Sequence, residues 1–108
     1  MIQVVASLTI NPEAPEAVQT YFDVALPLIQ NAGAKVVQKI DVGETIVGDP
    51  PVKILMLVDY PSREAVLRVF ESVEYRSIVE ARKQAFLEYN VSFVSSNSLD
   101  SDTDDGWS

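Results

Sequence analysis

The chain contains no cysteine and no histidine. The first absence excludes a disulfide framework, a thiol nucleophile and a thiolate zinc site. The second removes the commonest metal ligand and the side chain most often used as a general base near neutrality. Any chemistry must run on carboxylates, tyrosines, lysines, arginines or backbone groups, and neither a metal nor a cofactor is expected.

Basic residues are also scarce, eight against sixteen acidic ones, leaving a formal charge of -8. That field repels nucleic acid and anionic membrane surfaces, whose binding depends on Lys and Arg neutralising phosphates, so neither is expected as a partner. No apolar run approaches the roughly 20 residues of a membrane-spanning helix. Met1-Ile2-Gln3-Val4-Val5 has no basic region or small-residue cleavage site, so a cytoplasmic protein is the expectation.

What is present is an ordinary apolar fraction, 47% of 108 residues, which suffices for one packed core and excludes disorder over most of the length. Ile2 to Ile10 alternates and reads as a strand with one dry face. Asn11-Pro12-Glu13, or Pro15-Glu16 just after it, starts a helix whose stripe is Val18, Tyr21, Phe22, Ala25, Leu28, Ile29 and Ala32. Pro27 should bend it, and Gly33 is placed to end it in a left-handed conformation.

Ala34 to Val47 predicts a second strand, irregular at Gly43, and Val52 to Tyr60 a third. Ile54-Leu55-Met56-Leu57-Val58 is apolar on both parities, so this third strand should be central and covered on both faces. A second helical region begins at Pro61-Ser62-Arg63-Glu64 and is broken by a new cap at Ser72, and Tyr89 to Ser96 predicts the last strand. The order βαββαβ is the ferredoxin-like one: an α+β fold with two helices on one face of a four-stranded antiparallel sheet.

One charge sits where it should not. At about 100° per residue, Tyr75, Ile78, Val79, Ala85 and Phe86 share one sector of the last helix, and Arg82 points near its centre. Arg68 has Glu64 and Glu71 within helical reach, and Arg76 and Lys83 have Glu80, but the neighbours of Arg82 are all apolar. Its compensation must be a carboxylate from another element (Glu44, Asp41 or Asp59), an escape of the head group to water, or a bound anion. Tyr75 and Tyr21 lie on the same inward faces, as core aromatics or as hydroxyl donors to a ligand. Arg82, Tyr75 and Tyr21 are therefore the candidate ligand-binding residues, and no catalytic residue is assigned.

Pro61-Ser62-Arg63-Glu64-Ala65, then Phe70-Glu71-Ser72-Val73-Glu74-Tyr75 with Ile78 and Arg82, resembles the DUF1330 family of small uncharacterised proteins in the dimeric α/β-barrel superfamily. Val69 stands where a tryptophan would be expected. The resemblance implies a homodimer with two sheets face to face, and a small-molecule pocket between sheet and helices. It implies, for any activity, something like a cofactor-independent monooxygenase or an isomerase. A dimeric module without a ligand is the alternative.

Residues 1–97 are expected to form this subunit and 98–108 an acidic tail. Asp100, Asp102 and Asp104 have the first spacings of a calcium loop, but Asp105 stands where that loop needs glycine and the twelfth-position glutamate is missing, so a solvated tail is expected, with Trp107 a candidate to dock on a partner subunit.

Overall fold

The computed structural model describes residues 1–95, so the expectations for the acidic tail lie outside the described residues. β1 (Ile2–Ile10) buries Val4, Ala6 and Leu8, and leaves Gln3, Val5, Ser7 and Thr9 on the opposite face, as the two-residue period of a pleated strand requires. α1 (Pro15–Asn31) begins at the second proline, because Asn11 closes a turn first by accepting from the Glu13 N–H at 3.1 Å. It stays helical through Pro27.

Gly33 follows with φ +83°, and a Cβ there would stand 2.9 Å from Pro61 Cγ, so both conformation and space require glycine. β2 (Lys35–Asp41) is shorter than expected because its partner β3 (Ile54–Tyr60) ends opposite Asp41. The register shift falls between Val36 and Gln38, not at Gly43, which lies beyond the strand. The bulge is therefore set by pairing with β3 and not by the glycine.

Serines punctuate the second helical region. Ser62 Oγ accepts from the Ala65 N–H at the start of α2 (Arg63–Phe70). Ser72 then donates to the Val69 carbonyl at 2.8 Å and accepts from the Tyr75 N–H at 3.0 Å, ending α2 and starting α3 (Val73–Arg76) with one side chain. A further break at Ile78 precedes α4 (Val79–Ala85), so the region has three segments where two were predicted.

β4 (Phe86–Phe93) begins three residues before the expected Tyr89. The Asn11 N–H donates to the Ala85 carbonyl at 2.8 Å, and Phe86 pairs opposite Ile10, so tertiary pairing turns helix into strand without a loop. Phe86 thus leaves the helical stripe for the sheet. All pairings are antiparallel in the order β2-β3-β1-β4, with the helices on one face, which is the expected ferredoxin-like fold.

Two apolar clusters fill the space between the layers. One gathers Ala6, Leu8, Tyr21, Ala25, Tyr75, Ile78, Ala85 and Phe86. The other packs Val4, Val58 and Tyr60 against Ala65, Val66 and Val69 of α2. The seam between them, at Phe70 and Val91, borders the site described next.

Candidate ligand-binding site

Three tyrosine hydroxyls meet at one point. Tyr21 from α1 bonds Tyr75 from α3 at 2.9 Å and also bonds Tyr89 from β4, and Tyr75 donates to Tyr89 at 3.3 Å. The rings stand edge to face: Tyr21 lies 5.9 Å from Tyr75, 5.7 Å from Tyr89 and 5.2 Å from Phe86, and Phe70 lies 5.0 Å from Tyr75. Three O–H protons serve three oxygen pairs, so the triangle is self-satisfied.

Arg82 completes the group. Its Nη1 donates to Tyr75 Oη at 3.4 Å, and its guanidinium carbon lies 5.4 Å from the Tyr89 ring centre and 5.9 Å from that of Tyr75. Among the described residues no carboxylate pairs with it: Asp41 pairs with Lys39 at 2.9 Å, Asp59 accepts from Gln3 at 3.0 Å, and Glu44 makes no ion pair. The expected carboxylate partners therefore do not reach Arg82, and a phenol takes the place they would have filled. The helical pairs expected for Arg68 and Arg76 are not made either, whereas Lys83 lies 3.8 Å from Glu80. Exposed pairs contribute so little that solvent competes successfully for them.

A cavity of about 390 Å³ opens in front of this cluster, lined by Val66, Leu67 and Phe70 of α2, by Tyr75 and Arg82, and by Tyr89 to Phe93 of β4. Among the described residues lining it Arg82 carries the one charge, and no aspartate or glutamate borders it in a chain of net charge -8. The volume falls in the range of small-molecule sites.

The electrostatics favour donation. The hydrogen bond to Tyr75 holds the Arg82 guanidinium above its ordinary value, against a smaller opposing effect of burial. Burial, reinforced by Tyr89, pushes the Tyr21 hydroxyl far up, and burial followed by Tyr75 does the same to Tyr89. Both stay protonated near neutrality, as hydrogen-bond donors and not bases or nucleophiles. Among the described residues no group of three or more carboxylates gathers to hold a metal ion.

Sequence reasoning named Arg82, Tyr75 and Tyr21, and the structure brings all three together. Arg82 and Tyr75 line the cavity, while Tyr21, 2% exposed, lies behind them and touches it through Tyr75 and Tyr89. Tyr89 was missed. Its alternation with Val91 and Phe93 was the available signal, because it fixes which face of the last strand meets the helices.

The family described as Domain of unknown function (DUF1330) matches residues 4–96. The chain belongs to the DUF1330 family. No curated protein matches it. Among solved structures, a protein of unknown function from Rhodopseudomonas palustris, RPA0582, is 19% identical with a TM-score of 0.73, covering 91% of this chain and 83% of that one. The cofactor-independent oxygenase SnoaB from Streptomyces nogalater is 11% identical with a TM-score of 0.58, covering 91% of this chain and 94% of that one. A putative antibiotic biosynthesis monooxygenase from Nitrosomonas europaea is 12% identical with a TM-score of 0.58, covering 89% and 98%. At these identities the likeness shows that this DUF1330 chain shares their fold. No helix among its described residues is long and apolar enough to cross a membrane.

Proposed function

We propose that this DUF1330 protein binds a small organic anion, or a molecule with a polarised carbonyl, between its sheet and helices. The observation that carries the reading is the Arg82 guanidinium, which faces an acid-free cavity with a tyrosine hydroxyl as its hydrogen-bond partner. A carboxylate or carbonyl oxygen there would accept from Arg82 and, by opening the longest edge of the hydroxyl triangle, from Tyr75. Fold likeness carries no reaction from one protein to another, the oxygenase and monooxygenase relatives included.

The second face of the sheet supports a homodimer. Val5, Leu55, Leu57 and Ile40 lie on the side away from the helices, and Ile40 is 40% exposed. A second copy packed there would give β3 the two-sided cover that its composition requires. Residues 98–108 would then be an acidic appendage to a dimeric, cytoplasmic subunit spanning 1–97.

The test is a thermal-shift and calorimetric screen of small carboxylates and carbonyl compounds against the wild type and Arg82→Leu. Binding that Arg82→Leu abolishes is the expected result. The second reading, a ligand-free dimeric module, draws on the self-satisfied hydroxyl triangle, which needs no ligand to complete it. It predicts no hit from the same screen.

A further inference from the structure

The cavity runs along a strand edge that no other strand covers among the described residues. Tyr89, Asn90, Val91, Ser92 and Phe93 all line it, although their side chains alternate between the two faces of the sheet, so the wall they share is the backbone edge itself. β4 stands at the end of the sheet with β1 on one side. The Val94 N–H donates to the Gln3 carbonyl at 2.9 Å, and this fixes the alternation. Asn90 and Ser92 aim their backbone groups at β1, opposite Ser7 and Val5, whereas Tyr89, Val91 and Phe93 aim theirs outward. Among the described residues, no group pairs with those outward N–H and C=O groups.

Three kinds of contact therefore converge on one space. Arg82 and the tyrosine hydroxyls form one end, the open edge of β4 forms one wall, and Val66, Leu67 and Phe70 form an apolar wall opposite. Resting on the anion-binding reading above, we propose that the ligand is an N-acylated amino acid with an apolar side chain. Its carboxylate sits on Arg82 beside Tyr89. Its amide N–H donates to the Val91 carbonyl and one carboxylate oxygen accepts from the Val91 N–H, as the two groups flanking one Cα of an antiparallel neighbour would. Its side chain packs on Leu67 and Phe70. A plain carboxylate of the same bulk would strip water from the Val91 carbonyl without replacing the hydrogen bond lost.

Calorimetry with N-acetylleucine, its ester isostere 2-acetoxy-4-methylpentanoate and plain 4-methylpentanoate tests this, with amide hydrogen exchange at Val91 as a second readout. N-acetylleucine is expected to bind most tightly and to slow exchange at Val91. The ester, lacking the N–H donor, should bind about three- to tenfold more weakly, as one lost hydrogen bond implies, and Arg82→Leu should weaken N-acetylleucine by about tenfold or more. Equal affinity for all three acids with unchanged exchange at Val91 overturns the edge-pairing proposal while leaving a carboxylate site at Arg82 intact. Absence of binding by any of them to the wild type overturns the proposal, and loss of every hit in the wider screen overturns the reading beneath it. An acetylated dipeptide ending in leucine separates the two sources of this chemistry: weaker binding than N-acetylleucine supports a single acylated residue, and tighter binding overturns it in favour of a peptide carboxyl terminus.

Discussion

Arg82 donates to the hydroxyl of Tyr75 across 3.4 Å, and among the described residues no acidic oxygen lies within 4.0 Å of its guanidinium. A hydroxyl offers a guanidinium a hydrogen bond and not the counter-charge of a carboxylate. The arginine is tolerated because its half-buried guanidinium lies against the Tyr75 and Tyr89 rings and still borders the cavity.

Arg82→Leu should consequently fold well. With no ion pair to break, the cost of the substitution is expected to be within about 1 kcal/mol, as for partly exposed positions without buried partners. Urea unfolding measures it. A loss of 3 kcal/mol or more is the signature of a buried pair deprived of one member, and would mean that a carboxylate meets Arg82 in solution.

The hydroxyl triangle should behave as one unit. Tyr21→Phe removes the hydroxyl that touches both others from a side chain 2% exposed, at an expected cost of about 1–2 kcal/mol. In a double-mutant cycle with Tyr89→Phe the two losses should fall short of additive by about 1 kcal/mol, because the first substitution already breaks the shared bond. Strict additivity would show that the hydroxyls are satisfied independently, by water.

Much of this arrangement was legible in the sequence, and what was not has one cause. Alternation in Ile2 to Ile10, the Ser72 cap and the Gly33 stop are local signals, and the structure keeps each of them. The bulge at Val37, the early start of β4 at Phe86 and the position of Tyr89 depend on which residue of a distant strand lies opposite, and no local pattern encodes that. The same holds for Arg82: helical spacing showed that no acid on its own helix could serve it, but only the packing of α1, α3 and β4 puts phenols there.

Alkaline pH should unfold the protein through its tyrosines. Burial raises Tyr21, Tyr89 and Tyr60 in the folded state, so between the unfolded value of about 10 and the higher folded values the unfolded chain releases protons that the native one retains. Stability from these groups is fully present below pH ~10 and is lost as pH rises, by up to about 1.4 kcal/mol per pH unit for each tyrosine. Chemical denaturation from pH 8 to 11 reads the slope. Tyr21→Phe should make it shallower, and an unchanged slope would exclude Tyr21 as a contributor.

Gly33→Ala should be costly although it touches no site residue. Its φ of +83° is strained for any residue with a Cβ, and the new carbon would meet Pro61 Cγ at 2.9 Å, at the junction where α2 begins. A loss of about 1–3 kcal/mol is expected from the two effects together. A neutral result in urea unfolding would mean that the Pro61 ring yields freely.

Leu57→Lys tests the pairing of two sheets without disturbing either core cluster. Leu57 stands opposite Val5 in β1 and Gln38 in β2, on the face turned from the helices, and belongs to neither buried cluster. If a second copy covers that face, the new ammonium is buried with its image across a two-fold axis, and like charges without solvent cannot both be accommodated. Sedimentation should then show a wild-type dimer and a folded Leu57→Lys monomer with an unchanged circular dichroism spectrum. A wild type that sediments as a monomer at every concentration would remove the second sheet, and the cover for β3 would have to come from another protein.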